Sequence, residues 1–297
     1  MPALIDLRKR IKSVRNTQKI TQAMKTVSTA KFQKAQRRVL ESRPLWHGQP
    51  GFLREMALWA PAALHPLLDK RAEKRVFCLV ITSDKGLAGA FNANLLDTAD
   101  EFLQEKSRKS DVGLGLIGKK AVLHFRRTGF PVVYSLAGET SKLTSQDLNE
   151  VSRLVTEHFV LQKTDAVYVI YNEFKSILAP RVTVVKLLPL DFSEKSPGTA
   201  KSADEETPVK LEPDWNPGIQ SMLDDFLPRY VAQQVEHFFC ESSAAEHAAR
   251  MMAMDNATKN AEDLIGDLTL VLNKARQASI TKELLEIMSA VEALAKK

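Results

Sequence analysis

Three glycines, Gly113-Leu-Gly115-Leu-Ile-Gly118, reproduce the GxGxxG spacing by which a strand-to-helix turn cradles a dinucleotide pyrophosphate. That chemistry requires a strand before the first glycine, so that amides at the following helix N-terminus face the phosphates. Here Gln104 to Asp111 reads as a polar helix end, and Gly113 and Gly115 fall inside the strand itself. The match therefore carries no nucleotide site. A better placed turn is Asp84-Lys-Gly-Leu-Ala-Gly-Ala-Phe-Asn92, directly after a strand and before a helix. Its Gly86 and Gly89 suit a tight turn at the carboxyl edge of a sheet, where open α/β folds bind ligands. It lacks the Lys-Ser/Thr ending of a phosphate loop and reads as structural punctuation before a ligand turn.

No nucleophile, metal or acid–base constellation stands out. None of the six histidines (His47, His65, His124, His158, His237 and His247) pairs with another at i, i+4. The two cysteines, Cys78 and Cys240, have neither metal-ligand spacing nor a disulfide framework. No cofactor and no metal is expected, and Met251, Met252 and Met254 read as helix fillers.

The elements around these residues fall into three blocks. Leu4, Leu7, Ile11 and Val14 recur at helical spacing, and no Gly or Pro intervenes before Pro44. This predicts a helix of ~40 residues, broken by Pro44, Gly48, Pro50 and Gly51. From Val76 the period changes. Strands are expected at Val76–Thr82, Val112–Ile117, Val132–Leu136, Ala166–Tyr171 and Arg181–Leu188, with helices at Asn92–Lys106, Lys119–Arg127 and Thr144–Leu161. Alternation of this kind implies a largely parallel sheet. Asp191 to Gly218, rich in Pro, Ser and acids, reads as a mobile linker, and Arg229 to Lys297 as one helix of ~70 residues.

Leu264, Leu268, Val271, Ala275 and Ala278 repeat at four and three, the seam of a coiled coil. Two long terminal helices with apolar seams are best satisfied by winding around each other, antiparallel because the middle domain returns the chain. The fold class is thus α/β, with a long antiparallel coiled coil of the N- and C-terminal helices and a middle α/β domain of largely parallel sheet. The expected divisions are 1–68, 69–190, 191–218 and 219–297. Ala3 to about Arg43 is expected to pair with about Leu264 to Ala295.

Of 297 residues, 44% are hydrophobic and 26% charged, with a net charge of +6. Met1 to Arg43 holds twelve Lys and Arg against Asp6 and Glu41, so the excess is concentrated there. Such a block could meet nucleic acid, an anionic membrane, an acidic protein or only solvent. No apolar run approaches the roughly 20 residues that span a bilayer.

Three separated segments carry a family resemblance. IKSVRNTQKITQAMKTVSTAKFQKAQ (Ile11 to Gln36), SDKGLAGAFNANL (Ser83 to Leu95), and AARMMAMDNATKNA with LNKARQASITKELLEI (within Ala248 to Ile287) resemble, in order, the gamma subunits of F-type ATP synthases. The resemblance implies a non-catalytic central shaft that couples proton flow to ATP synthesis and regulates ATPase activity and proton flow. It implies as partners three alpha and three beta subunits, the epsilon subunit and the membrane rotor ring of c subunits. A peripheral place on the cytoplasmic side of a bacterial inner membrane follows from the same likeness. Arg276, Gln277 and Thr281 match a polar contact to a catalytic beta subunit. Arg8, Lys9, Arg10 and Lys12 are expected to meet acidic beta-subunit loops, and Asp84, Gly86, Gly89 and Asn92 form the family's middle-domain turn. A chloroplast-type paired-cysteine insertion is absent, so no thiol switch is expected. A nucleic-acid-binding coil is disfavoured, because Phe32 is the only aromatic in the basic segment and no reader motif occurs.

Overall fold

The computed structural model describes residues 2–59, 65–138, 140, 143–177, 180–191 and 219–295. The linker expected from Asp191 to Gly218 lies outside the described residues from position 192 onward. Two compact units divide the chain, Met1–Thr29 with Arg250–Lys297, and Ala30–Ala249.

The first helix, α1, spans Pro2–Trp59 and the last, α5, spans Ile219–Ala295. Both run through prolines that the sequence reading took as boundaries, Pro44 and Pro50 in α1 and Pro228 in α5. An internal proline forfeits one hydrogen bond and crowds the preceding turn, but helical turns on both sides can hold it. Around Pro228 those turns are anchored by Leu223, Leu227, Tyr230 and Val231, all buried against the sheet.

The larger unit is built on strands β1 (Arg75–Ile81), β2 (Asp111–Ile117), β3 (Val132–Leu136), β4 (Ala166–Phe174) and β5 (Pro180–Leu188), in the order β3-β2-β1-β4-β5. β1 pairs in parallel with both β2 and β4, with Val76 opposite Val112 and Ala166, while β5 closes the sheet antiparallel to β4. Helices α2 (Phe91–Ser107), α3 (Lys119–Phe125) and α4 (Ser145–Val160) complete the layers. Because side chains alternate along a strand, β1 feeds two cores. Phe77, Leu79 and Ile81 pack with α4 and with the first part of α5, while Val76, Cys78 and Val80 pack with α2 and α3. Burial on both faces explains why β1 reads as an unbroken apolar run.

In the smaller unit α1 and α5 pair antiparallel. Lys25 Nζ lies 2.6 Å from Asp255 Oδ1, and Thr258 Oγ1 lies 2.8 Å from Thr21 Oγ1. On α1 the inward residues are Leu4, Leu7, Ile11, Val14, Gln18, Thr21, Lys25 and Ser28, a strict four-three repeat. On α5 they are Met254, Thr258, Ala261, Ile265, Leu268, Leu272, Ala275 and Ser279. The expected α5 seam is therefore one residue out of phase at Leu264, Val271 and Ala278, which are exposed. Ile265 and Leu272 are apolar neighbours of Leu264 and Val271, so periodicity alone could not choose between them.

The register also differs from the expectation that set Ala3–Arg43 against Leu264–Ala295. Thr21 and Lys25 meet Thr258 and Asp255, and in the larger unit Arg38 meets Glu236 at 2.9 Å. The cause lies in the start of α5, from Leu223 to Phe239, which serves as a cover helix for the sheet. This packing draws the coil pairing toward lower α5 numbers.

Candidate functional site

The turn after β1 is held by side chains rather than by glycine alone. Asp84 Oδ1 accepts from the amides of Lys119 at 2.9 Å and Gly138 at 3.1 Å, and Oδ2 accepts from the amide and hydroxyl of Thr140, both at 2.6 Å. Partial burial pushes the Asp84 pKa up, but the Thr140, Lys119 and Gly138 donors outweigh it and hold the carboxyl below its ordinary value. Asn92 Oδ1 accepts from the Ser83 amide at 3.1 Å, and its Nδ2 donates to Ser83 Oγ at 2.8 Å. Gly89 takes φ +57°, as the sequence suggested, but the other left-handed residue is Leu87 at +61° rather than Gly86. Asp84 thus clasps the β1–α2 turn to the start of α3 and to the loop after β3. Four protein donors satisfy it, which is the geometry of a strap and not of a catalytic acid.

The GxGxxG glycines are explained by packing. A Cβ at Gly115 would stand 2.5 Å from Phe77 Cζ, and one at Gly118, where φ is +98°, would stand 2.3 Å from the Thr82 carbonyl oxygen. At both positions the chain's own atoms occupy the space a side chain would need. The strand order reverses between β1 and β4, the place where open α/β sheets receive ligands beyond their carboxyl ends. In this chain the long helices pack against that place. Phe32 and Val39 of α1 and Cys240, Ala244, Ala245 and Ala248 of α5 pack with Ala88, Phe91 and Phe174. Glu241 accepts from the Phe174 amide at 2.8 Å, and Phe32 and Phe174 meet edge to face with centroids 5.4 Å apart. The crevice that would hold a nucleotide has become the seat of the long helices.

On the smaller unit, Arg8, Lys9, Arg10 and Lys12 are all exposed, flanking the buried Ile11. Arg276, Gln277 and Thr281 are exposed as well, with Gln277 and Thr281 one turn apart on the same face. From Ile280 to Ser289 every side chain of α5 is exposed, including Leu284, Leu285, Ile287 and Met288. The sequence reading missed the polar layer of Lys25 with Asp255 and Thr21 with Thr258. Its signal was present, since Gln18, Thr21, Lys25 and Ser28 continue the Leu4–Ile11 repeat with polar side chains. Asp255 bonds both Lys25 and Lys259, which hold its pKa below the usual value.

The family profile described as ATP synthase matches residues 3–294. The chain is 42% identical over 298 residues to the ATP synthase gamma chain of Anaeromyxobacter dehalogenans (strain 2CP-C), covering 99% of this chain and 100% of that one. It is 40% identical over 294 residues to the ATP synthase gamma chain of Pelotomaculum thermopropionicum, with 99% and 100% covered. The chain belongs to the ATP synthase gamma-chain family. Solved structures agree in fold. One is from the Euglena gracilis mitochondrial ATP synthase OSCP/F1/c-ring assembly, with TM-score 0.65, 19% identity, and 99% of this chain and 95% of that one covered. Another is from the Tetrahymena thermophila mitochondrial ATP synthase central stalk and c-ring, with TM-score 0.60, 21% identity, and 80% and 99% covered. As a gamma chain this protein is the non-catalytic stalk subunit of the enzyme, a rotor part peripheral to the membrane. No described helix is long and apolar enough to cross a membrane.

Proposed function

We propose that this chain is the shaft on which three alpha and three beta subunits close, and that its larger unit meets the epsilon subunit and the ring of c subunits. It thereby transmits rotation between proton flow and ATP synthesis at the cytoplasmic face of a bacterial inner membrane, and sets the rates of ATP hydrolysis and proton flow. The observation that carries this reading is the end of α5, where Ile280, Leu284, Leu285, Ile287 and Met288 are between 49% and 68% exposed. A contiguous apolar face of this kind marks an interface. A closed sleeve of partner subunits would cover it on all sides.

Arg276, Gln277 and Thr281 lie at the start of that apolar end and are the residues through which the shaft would contact a catalytic beta subunit. A charge-assisted hydrogen bond there is worth about 1.5 to 3 kcal/mol, enough to favour one catalytic conformation and small enough to release on turning. Arg8, Lys9, Arg10 and Lys12 offer the complementary charge for acidic beta-subunit loops. The test is ATP hydrolysis and ATP-driven proton pumping in membrane vesicles, normalised to assembled complex by immunoblot. Arg276→Ala and Gln277→Leu should each lower turnover. Unchanged rates in both, with normal assembly, would remove the patch from the coupling path.

A further inference from the structure

Helices do not fill the carboxyl edge of the sheet completely. Between α1, α5 and the loop after β3 a groove of about 320 Å³ remains, wholly within the larger unit. Lys31, Lys34 and Arg38, successive residues on one face of α1, form its outer wall. Phe239 and Ser243 of α5 line the opposite side, and Thr140 the third. A second, smaller pocket shares Thr140, Phe239, Ser243 and His247 with the groove and is lined by Thr82 at the end of β1, which places both at the edge where α/β sheets bind ligands.

Among the described residues, the basic groups at the groove outnumber the acidic ones. Arg38 is engaged by Glu236 at 2.9 Å, and Glu246 lines the smaller pocket. Lys31 and Lys34 make no ion pair or hydrogen bond among the described residues, and neither does the Ser243 hydroxyl. Thr140 is not an available donor, because its hydroxyl is given to Asp84. Two unengaged ammonium groups, a guanidinium with further N–H groups and one free hydroxyl thus converge on a concave space. That donor set fits an oxyanion, and the volume is at the lower end of small-ligand sites.

We propose that this groove binds a phosphate group, with Lys31 and Lys34 supplying charge, Arg38 a directed N–H and Ser243 a hydroxyl donor. Inorganic phosphate and the terminal phosphate of a nucleotide share this chemistry. The site is separate from the proposed beta-subunit contacts on α5 and from the Arg8–Lys12 face.

The test uses the full-length chain, titrated with inorganic phosphate and separately with ADP at ionic strength held constant with sodium chloride. Thermal midpoint and phosphorus NMR line width are followed. A saturable rise in midpoint is expected, with Kd weakened about tenfold or more in the double variant Lys31→Ala/Lys34→Ala. Ser243→Ala should weaken it by a smaller factor, whereas Arg15→Ala/Lys19→Ala, which removes the same charge elsewhere on exposed α1, should leave it unchanged. ADP binding tighter than phosphate would identify a nucleotide phosphate as the ligand, and equal or weaker binding would identify free phosphate. Absence of saturation, or equal losses in the two lysine and arginine pairs, would overturn the site. Binding of an Asp-rich peptide with no response to either phosphate would also overturn it, assigning the face to an acidic protein instead.

Discussion

Every residue of β1 from Val76 to Ile81 is buried, whereas the α1 seam passes from Ile11 and Val14 to Gln18, Thr21, Lys25 and Ser28. The sheet takes its stability from two dense apolar cores, and its register is fixed because the three central strands, β2, β1 and β4, are covered on both faces. The smaller unit gives up apolar contact at its centre in exchange for bonds that exist in only one alignment, Lys25 with Asp255 and Thr21 with Thr258. Polar groups at seam positions specify pairing at a cost in stability. A rod that must carry torque needs fixed alignment more than it needs depth of burial.

The sharpest way to break this contrast is Phe77→Ala in the sheet. Phe77 is 1% exposed between α4 and the first part of α5, so the substitution should cost about 3 to 5 kcal/mol of unfolding free energy in denaturant titration. Asp84→Ala comes next. It strands the amides of Lys119, Gly138 and Thr140, and the loss should be about 1.5 to 3 kcal/mol, with faster hydrogen exchange at those amides.

Glu73 offers a test by pH. It accepts from Lys106 and Lys186, both at 2.7 Å, and from Tyr168 at 2.8 Å. Partial burial would raise its pKa, but the Lys106, Lys186 and Tyr168 bonds bring it from 4.5 to about 2. The folded value lies below the unfolded one, so its stabilisation is complete above about 4.5 and is lost as pH falls toward 2. Glu73→Gln should lower stability at pH 7 by about 1 to 2 kcal/mol after solvent screening and flatten the acid limb of the pH profile.

The smallest thermal effect is expected in the coil, where the change should appear in register. Lys25→Leu/Asp255→Leu should raise the melting midpoint slightly while broadening the set of disulfides formed between cysteines placed along the two helices. A single cross-linking register in that variant would show that the polar layer does not set alignment.

Much of this was legible in the residues. VFCLVIT read as a buried strand, and the four-three repeat of Leu4, Leu7, Ile11 and Val14 named the inward face of α1. Phase on α5 was not legible, because Leu264–Ile265 and Val271–Leu272 offer apolar neighbours to either choice. Nor was register, since a heptad repeat matches itself after every seven residues and the deciding constraint is the packing of Leu223 to Phe239 on the sheet. Prolines misled where tertiary contacts on both sides of Pro228 kept the helix going. The Asp84 clasp was half visible. Its turn could be placed from the glycines, but Thr140 is 56 residues away and nothing in the sequence linked the two.

Rotation itself can be observed on a probe attached to the larger unit. Cys78 and Cys240 are buried, and burial raises both thiol pKa values, Cys240 to about 11, so neither competes for a maleimide near neutral pH. Arg127→Cys places one reactive thiol on exposed surface just beyond α3. With the assembled complex held to a surface through its alpha and beta subunits, a bead at position 127 should turn in one direction while ATP is hydrolysed and stop when ATP is removed. Continued hydrolysis with the bead fixed relative to those subunits would contradict the shaft.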